Sequence, residues 1–88
     1  MNPLSISVVI PVYNAGLPLQ EAIDSALSQV GVNVEVIVVD DGSSCSVTQS
    51  ILDSYGDRIR YFRQKNAGPA AARNLGVQQA SHEWIAFL

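Results

Sequence analysis

The sequence predicts an α/β fold: an open, mainly parallel sheet with flanking helices. Three observations predict it. The run Val36-Ile37-Val38-Val39 leads without a break into Asp40 and Asp41, followed by a Gly42-Ser43-Ser44 turn. Such a run reads as a strand buried on both faces, as in a parallel sheet. Strand-like and helix-like segments alternate along the chain as β-α-β-α-β-α-β, which implies parallel strands joined by right-handed crossovers. The two acids stand at the carboxyl end of their strand, the edge at which open α/β sheets bind ligands. Adjacent carboxylates repel each other, so they suggest a site.

Each element has its own signal. Ser5 to Val12 is the first strand, and Pro11, with no amide hydrogen to donate, should mark its end. Tyr13-Asn14-Ala15-Gly16 is a turn. The first helix is expected from about Leu17 to Val30, with Pro18 at an early position. Leu19, Ala22, Ile23, Ala26, Leu27 and Val30 form its apolar stripe, and Gly31 is a plausible stop. The second strand covers about Val34 to Val39. Ser44 or Ser46 can cap a second helix from Val47 to Ser54, with Val47, Ile51 and Tyr55 on its buried face. Ile59 to Arg63 alternates apolar and basic residues, as in a strand near a sheet edge. Asn66-Ala67-Gly68-Pro69 turns into a third helix whose small residues, Ala70 to Ala72 and Gly76, suit close packing on the sheet. Glu83 to Leu88 is the fourth strand, with Trp84 assigned to the core.

Composition narrows the class. Eighty-eight residues, 48% hydrophobic and 15% charged, make one globular domain or less. A net charge of −3 argues against a nucleic-acid partner. All five basic residues (Arg58, Arg60, Arg63, Lys65, Arg73) fall in one stretch. They read either as a solvated face or as a positive wall for an anionic ligand. Cys45 is the single cysteine, so no intrachain disulfide forms and nothing favours an oxidising compartment. His82 stands alone and reads as surface. The N-terminus lacks the basic and apolar regions of a signal peptide, and no apolar run approaches about 20 residues. A cytoplasmic location is expected, with the cytoplasmic face of a membrane still open for a larger parent protein.

Three loops should converge at the carboxyl edge: Pro11 to Asn14, Asp40 to Ser43, and Asn66 to Asn74. Together they offer what a nucleotide needs. The Tyr13 ring can stack on a base. A carboxylate can accept an imide N–H or a ribose hydroxyl. Helix N-terminal amides and Arg73 favour phosphate. Packing at the sheet edge for Tyr13, a helix-start turn for Asp40 and Asp41, and a brace beneath the Asp40 loop for Arg73 are the structural alternatives. Asn14 and Asn66 read first as turn residues.

Ser-Val-Val-Ile-Pro-Val-Tyr-Asn, Val-Ile-Val-Val-Asp-Asp-Gly-Ser, Asn-Ala-Gly-Pro-Ala-Ala-Ala-Arg-Asn and Trp-Ile-Ala-Phe-Leu occur in that order. In this arrangement the chain resembles the N-terminal half of glycosyltransferase family 2, whose GT-A, Rossmann-like domains use nucleotide-diphosphate sugars. The resemblance implies strand order 3-2-1-4 and a nucleotide-sugar donor, with UDP the expected nucleotide. It places Pro11 and Tyr13 at the nucleobase, Asp41 on the uracil ring, Asp40 near the nucleoside, and Arg73 near the donor or in a bracing ion pair. It also implies a saccharide or lipid-linked acceptor for the complete, inverting enzyme. In the family an Asp-x-Asp motif after the fourth strand holds Mg²⁺ or Mn²⁺, and here Leu88 falls where that motif should begin. Residues 1–88 are therefore expected to be a partial donor-binding domain that is inactive alone, with no catalytic or metal-ligating residue of its own.

Two other classes compete. A bare fourth strand would leave an unpaired edge and an uncovered face, so the chain could act as a non-catalytic, self-associating module. A dinucleotide-binding unit would need Gly-x-Gly-x-x-Gly after the first strand, where this chain has Pro-Val-Tyr-Asn-Ala-Gly. A phospho-acceptor receiver domain would carry its acids after the first strand, not the second.

Overall fold

The computed structural model describes residues 4–88. Its elements are β1 (Leu4–Val12), α1 (Leu17–Leu27), β2 (Val32–Asp40), α2 (Ser46–Ser54), a 3-10 turn (Gly56–Arg58), β3 (Arg60–Arg63), α3 (Pro69–Gln79) and β4 (Trp84–Phe87). The four strands form one parallel sheet in the order β3-β2-β1-β4, as the resemblance implied. β1 and β2 pair along their whole length, from Leu4 beside Val32 to Val12 beside Asp40.

Alternation on the two central strands explains their unbroken apolar runs. Val8, Ile10 and Val12 join Val36 and Val38 beneath α1 and α2, where Leu19, Ile23, Ala26, Leu52 and Tyr55 complete the larger core. Ile37 and Val39 face α3 and pack on Ala72. Full burial of a side chain such as Ile23, Ile37 or Leu52 contributes roughly 1.5–3 kcal/mol. Gly76 brings α3 close to the sheet: a Cβ there would collide with the Val9 side chain, as the small residues of this helix led one to expect.

β1 ends at Val12, the expected bound, and tolerates Pro11 one residue inside it. The reason lies in which neighbour each residue faces. Val12 accepts from the Asp41 N–H at 2.8 Å, so it faces β2, and Val9 accepts from Leu88 at 3.1 Å, so it faces β4. Pro11 shares the orientation of Val9, and its missing donor interrupts the β4 ladder without disturbing the β2 ladder.

Four expectations need correction. α1 stops at Leu27, and Val30 is 94% exposed beyond it. The Ser28 N–H and hydroxyl and the Gln29 amide bond the carbonyls of Asp24 and Ser25, closing the last turn. Gly31, at φ 83°, then turns the chain into β2. The inner face of α2 is Thr48 and Leu52 followed by Tyr55, while Val47 points outward. Cys45 is the residue at its N-cap, and neither Ser44 nor Ser46 supplies a side-chain cap. Trp84 lies on the edge strand and is 63% exposed.

A polar tie anchors the far side of the sheet. Glu35 on β2 accepts from the Ser7 hydroxyl at 2.9 Å, the Ser81 N–H at 2.9 Å and Arg60 at 3.2 Å. Arg60 also bonds the Gln79 carbonyl at the end of α3. Burial pushes the Glu35 carboxyl up, but these bonds outweigh it and hold the group down at about 2, from 4.5. A lowered pKa adds stability that is complete above pH 4.5 and lost as pH falls toward 2. Glu35→Gln is expected to cost about 2 kcal/mol at neutral pH, discounted for solvent contact. Urea melts from pH 7 to pH 2 should show the difference from the parent chain closing across that acid window; a constant difference would refute this account.

Candidate functional site

A cavity of 360 Å³ opens at the carboxyl ends of β1 and β4, lined by Pro11, Val12, Tyr13, Asp41, Pro69, Arg73 and Leu88. Strand order reverses between these two strands, which is where open α/β sheets form a ligand crevice. Its size falls within the range of small-molecule sites. Pro11 and Tyr13 come from the end of β1, Asp41 from the end of β2, and Arg73 from the first turns of α3. Tyr13 is 56% exposed, with its ring at the cavity wall.

Asp41 is the most heavily bonded side chain here. Its Oδ1 accepts from Gln64 Nε2 at 2.8 Å and from the Ala67 N–H at 2.7 Å. Its Oδ2 accepts from the Gly68 N–H at 3.0 Å and from Asn66 Nδ2 at 3.3 Å. The Gln64 amide and the Ala67 and Gly68 N–H groups hold its carboxyl below the usual aspartate value. The anion at the start of α3 is therefore the protein's own. The Ala67 and Gly68 amides, just ahead of α3, are already engaged. Gly42 makes this contact possible: it sits at φ 79°, and a Cβ would stand 2.8 Å from Asn66 N.

Asp40 is placed differently from its neighbour. It is 1% exposed and stands behind the cavity wall instead of lining it. Its Oδ1 accepts from the Ser43 N–H at 2.9 Å and its Oδ2 pairs with Arg63 at 3.5 Å. Arg63 also bonds the Ser43 carbonyl. The brace beneath the Asp40 loop is thus Arg63, not Arg73, which was the residue weighed for that role. The basic stretch does not form one wall. Arg60 and Arg63 are committed to Glu35 and Asp40, Arg58 lies over the Tyr55 ring, and among the described residues only Arg73 of the five lines the cavity.

Neither acid fits a divalent cation. Among the described residues no three His, Cys, Asp or Glu side chains gather as a metal site. Asp41 faces N–H donors and Asp40 faces a guanidinium, and both would have to be displaced before a cation could approach.

Sequence reading missed the role of Asn14. Its Oδ1 accepts from the Ser44 and Cys45 N–H groups at 2.9 and 3.0 Å, and its own N–H donates to Ser43 Oγ at 2.7 Å. Thr48 Oγ1 reaches back to the Ala15 carbonyl at 2.7 Å. The signal was present only as an asparagine in a turn. Its partners lie 29 to 31 residues away, beyond any local pattern.

A parallel sheet with helices on both faces and a cavity at its switch point defines the Rossmann-like class of open α/β domains. Within that class the chain belongs to glycosyltransferase family 2, whose family model, Glycosyl transferase family 2, matches residues 7–88. It is 48% identical over 84 residues to an uncharacterised glycosyltransferase of Rickettsia bellii, covering 94% of this chain and 12% of that protein. A second uncharacterised glycosyltransferase, from Haemophilus influenzae, is 42% identical over 91 residues, covering all of this chain and 36% of its own length. The structure of S. aureus TarS 1-349 in complex with UDP-GlcNAc superposes with a TM-score of 0.85 at 30% identity, over 97% of this chain and 26% of that one. The Pyrobaculum calidifontis mannosyltransferase PcManGT, solved with GDP-Man and Mn²⁺, shares the fold at a TM-score of 0.76 and 24% identity, over 91% of this chain and 25% of that one.

Asp41→Asn puts an N–H donor where the loop supplies only donors. Amide exchange at Ala67 and Gly68 is expected to speed up about tenfold, with β1 amides unchanged. In the parent chain their protection should persist below pH 3.8, because the lowered carboxyl stays ionised there. Unchanged exchange in the variant would mean that Asp41 does not hold this loop.

Proposed function

We propose that this chain is the donor-binding part of an inverting glycosyltransferase that uses a nucleotide-diphosphate sugar, with UDP as the nucleotide. In the complete protein an acceptor hydroxyl gives its proton to a base as its oxygen bonds the anomeric carbon, and the bond from that carbon to the nucleoside diphosphate breaks, the diphosphate leaving from the opposite face. The observation that carries this reading is the cavity at the sheet's switch point, which gathers Pro11, Tyr13, Asp41 and Arg73. The UDP-GlcNAc complex of TarS supports the choice of nucleotide. Tyr13 stacks on the base against Pro11, and Asp41 meets the base edge while held by the 64–68 loop. Asp40 supports the nucleoside side from behind, and Arg73 faces the diphosphate. The Mg²⁺ or Mn²⁺ that offsets diphosphate charge is held by residues outside this chain. The acceptor, a saccharide or a lipid-linked one, binds outside it as well, so the chain alone does not catalyse transfer.

UDP titrated with Mn²⁺ into the 88-residue chain and into a form continuing past Leu88 tests this reading. The longer form should bind and the short one bind weakly or not at all. Tyr13→Ala should weaken UDP binding by about tenfold, the value of one stacked base. Failure of the longer form to bind any nucleotide would end the proposal.

A second reading is self-association of the chain. Trp84, Phe87 and Leu88 are 63%, 51% and 58% exposed on the β4 side. A 280 Å³ apolar groove runs beside them, between Ile6, Val8, Val34 and Phe87. Light scattering should show the 88-residue chain above monomer mass at high concentration; a monodisperse monomer would dismiss this.

A further inference from the structure

We infer that Asn14 is a positioning residue for the nucleotide site, acting through Tyr13. The inference rests on the proposed donor-site reading and deepens it.

Tyr13 is attached to the sheet on one side only. Val12 precedes it as the last residue of β1, and Asn14 follows it in the left-handed region at φ 50°. That backbone state is uncommon for any residue but glycine, with asparagine among the few that tolerate it. The Asn14 side chain makes the state useful. Its Oδ1 collects both N–H groups ahead of α2, and its N–H is taken by the Ser43 hydroxyl. Ser43 is 3% exposed and is fixed from below, its N–H on Asp40 and its carbonyl on Arg63. The Thr48 bond to Ala15 adds a second strut. Tyr13 is thereby tied to the same turn that carries Asp40 and leads from Asp41.

The consequence concerns preorganisation. An exposed ring on an untethered loop loses rotational and backbone freedom when a base stacks on it, and that loss subtracts from affinity. The Asn14 clip removes much of that freedom before the ligand arrives. It also sets the distance between the stacking ring and the Asp41 edge of the cavity. The working atom is one acceptor oxygen in a left-handed backbone. Two substitutions separate these features. Asn14→Gly keeps the backbone state and removes the oxygen. Asn14→Asp keeps an acceptor oxygen, and its charge is favourable at the start of a helix.

The experiment measures UDP affinity in whichever of the two forms binds UDP, together with amide exchange at Ser44 and Cys45. Asn14→Gly should weaken UDP binding about tenfold and speed exchange at both amides, with β1 protection unchanged. Asn14→Asp should bind within about twofold of the parent chain. If Asn14→Gly loses amide protection but keeps parental affinity, the clip exists without serving the site and the inference is overturned. If Asn14→Asp is as weak as Asn14→Gly, the acceptor oxygen is not the working feature and the inference also fails. If the unsubstituted longer form binds no nucleotide, the site reading itself is wrong and the inference falls with it.

Discussion

The Asp41 carboxylate organises this end of the molecule. A carboxylate buried to 5% exposure needs donors to replace its hydration, and the 64–68 loop supplies them through two backbone amides and two side-chain amides. The loop depends on the acid in turn. Gly68 sits at φ 98° immediately before Pro69, and its N–H and that of Ala67 both turn to the Asp41 carboxylate. Without Asp41, those groups would be unpaired at a helix start. This one ion ties the start of α3, the helix that carries Arg73, to the end of β2.

Neighbouring constraints are arranged around that contact. Asp40 turns the other way, to Ser43 and Arg63, so two adjacent carboxylates avoid each other by facing different donors. Asn14 then joins the first loop to the same turn. Three loops from three strands are thus cross-linked by side chains whose donors and acceptors are matched. No buried side-chain polar atom among the described residues lacks a hydrogen-bond partner. Such matched networks hold a cavity open without a ligand, because each loop would lose a bond by closing into it.

Much of this was visible in the residues, and the reasons for the exceptions are physical. Val36 to Val39 announced a strand covered on both faces, and its alternation between two cores bears this out; Ser5 to Val12 announced the strand beside it. Pro69 and Gly76 marked the third helix and its closeness to the sheet. The failures lie where a local pattern is overruled by a distant partner. Val30 has helical spacing, yet the chain must turn at Gly31 to place Val32 beside Leu4. Ser44 and Ser46 look like caps, but Cys45 takes the N-cap position, in a turn fixed from a distance by Asn14. Trp84 resembles core by type, whereas its place on an edge strand is set by topology. Arg63 and Arg73 carry the same charge, and only the sheet register, which sets Arg63 beside Asp40, tells which one braces the turn.

Gly76 bears on more than packing. Because a side chain there has nowhere to go but into Val9, the helix is clocked as well as seated: it can neither roll nor slide without losing the notch. Arg73 lies three residues earlier, roughly 4.5 Å along the axis. Its guanidinium is therefore measured out from a reference mark on the opposite end of the contact. A slip of one residue would carry it about 1.5 Å along the axis and swing it off the cavity wall. The reach of the arginine is thus a length stored in the sheet-to-helix fit, away from the residues that line the cavity.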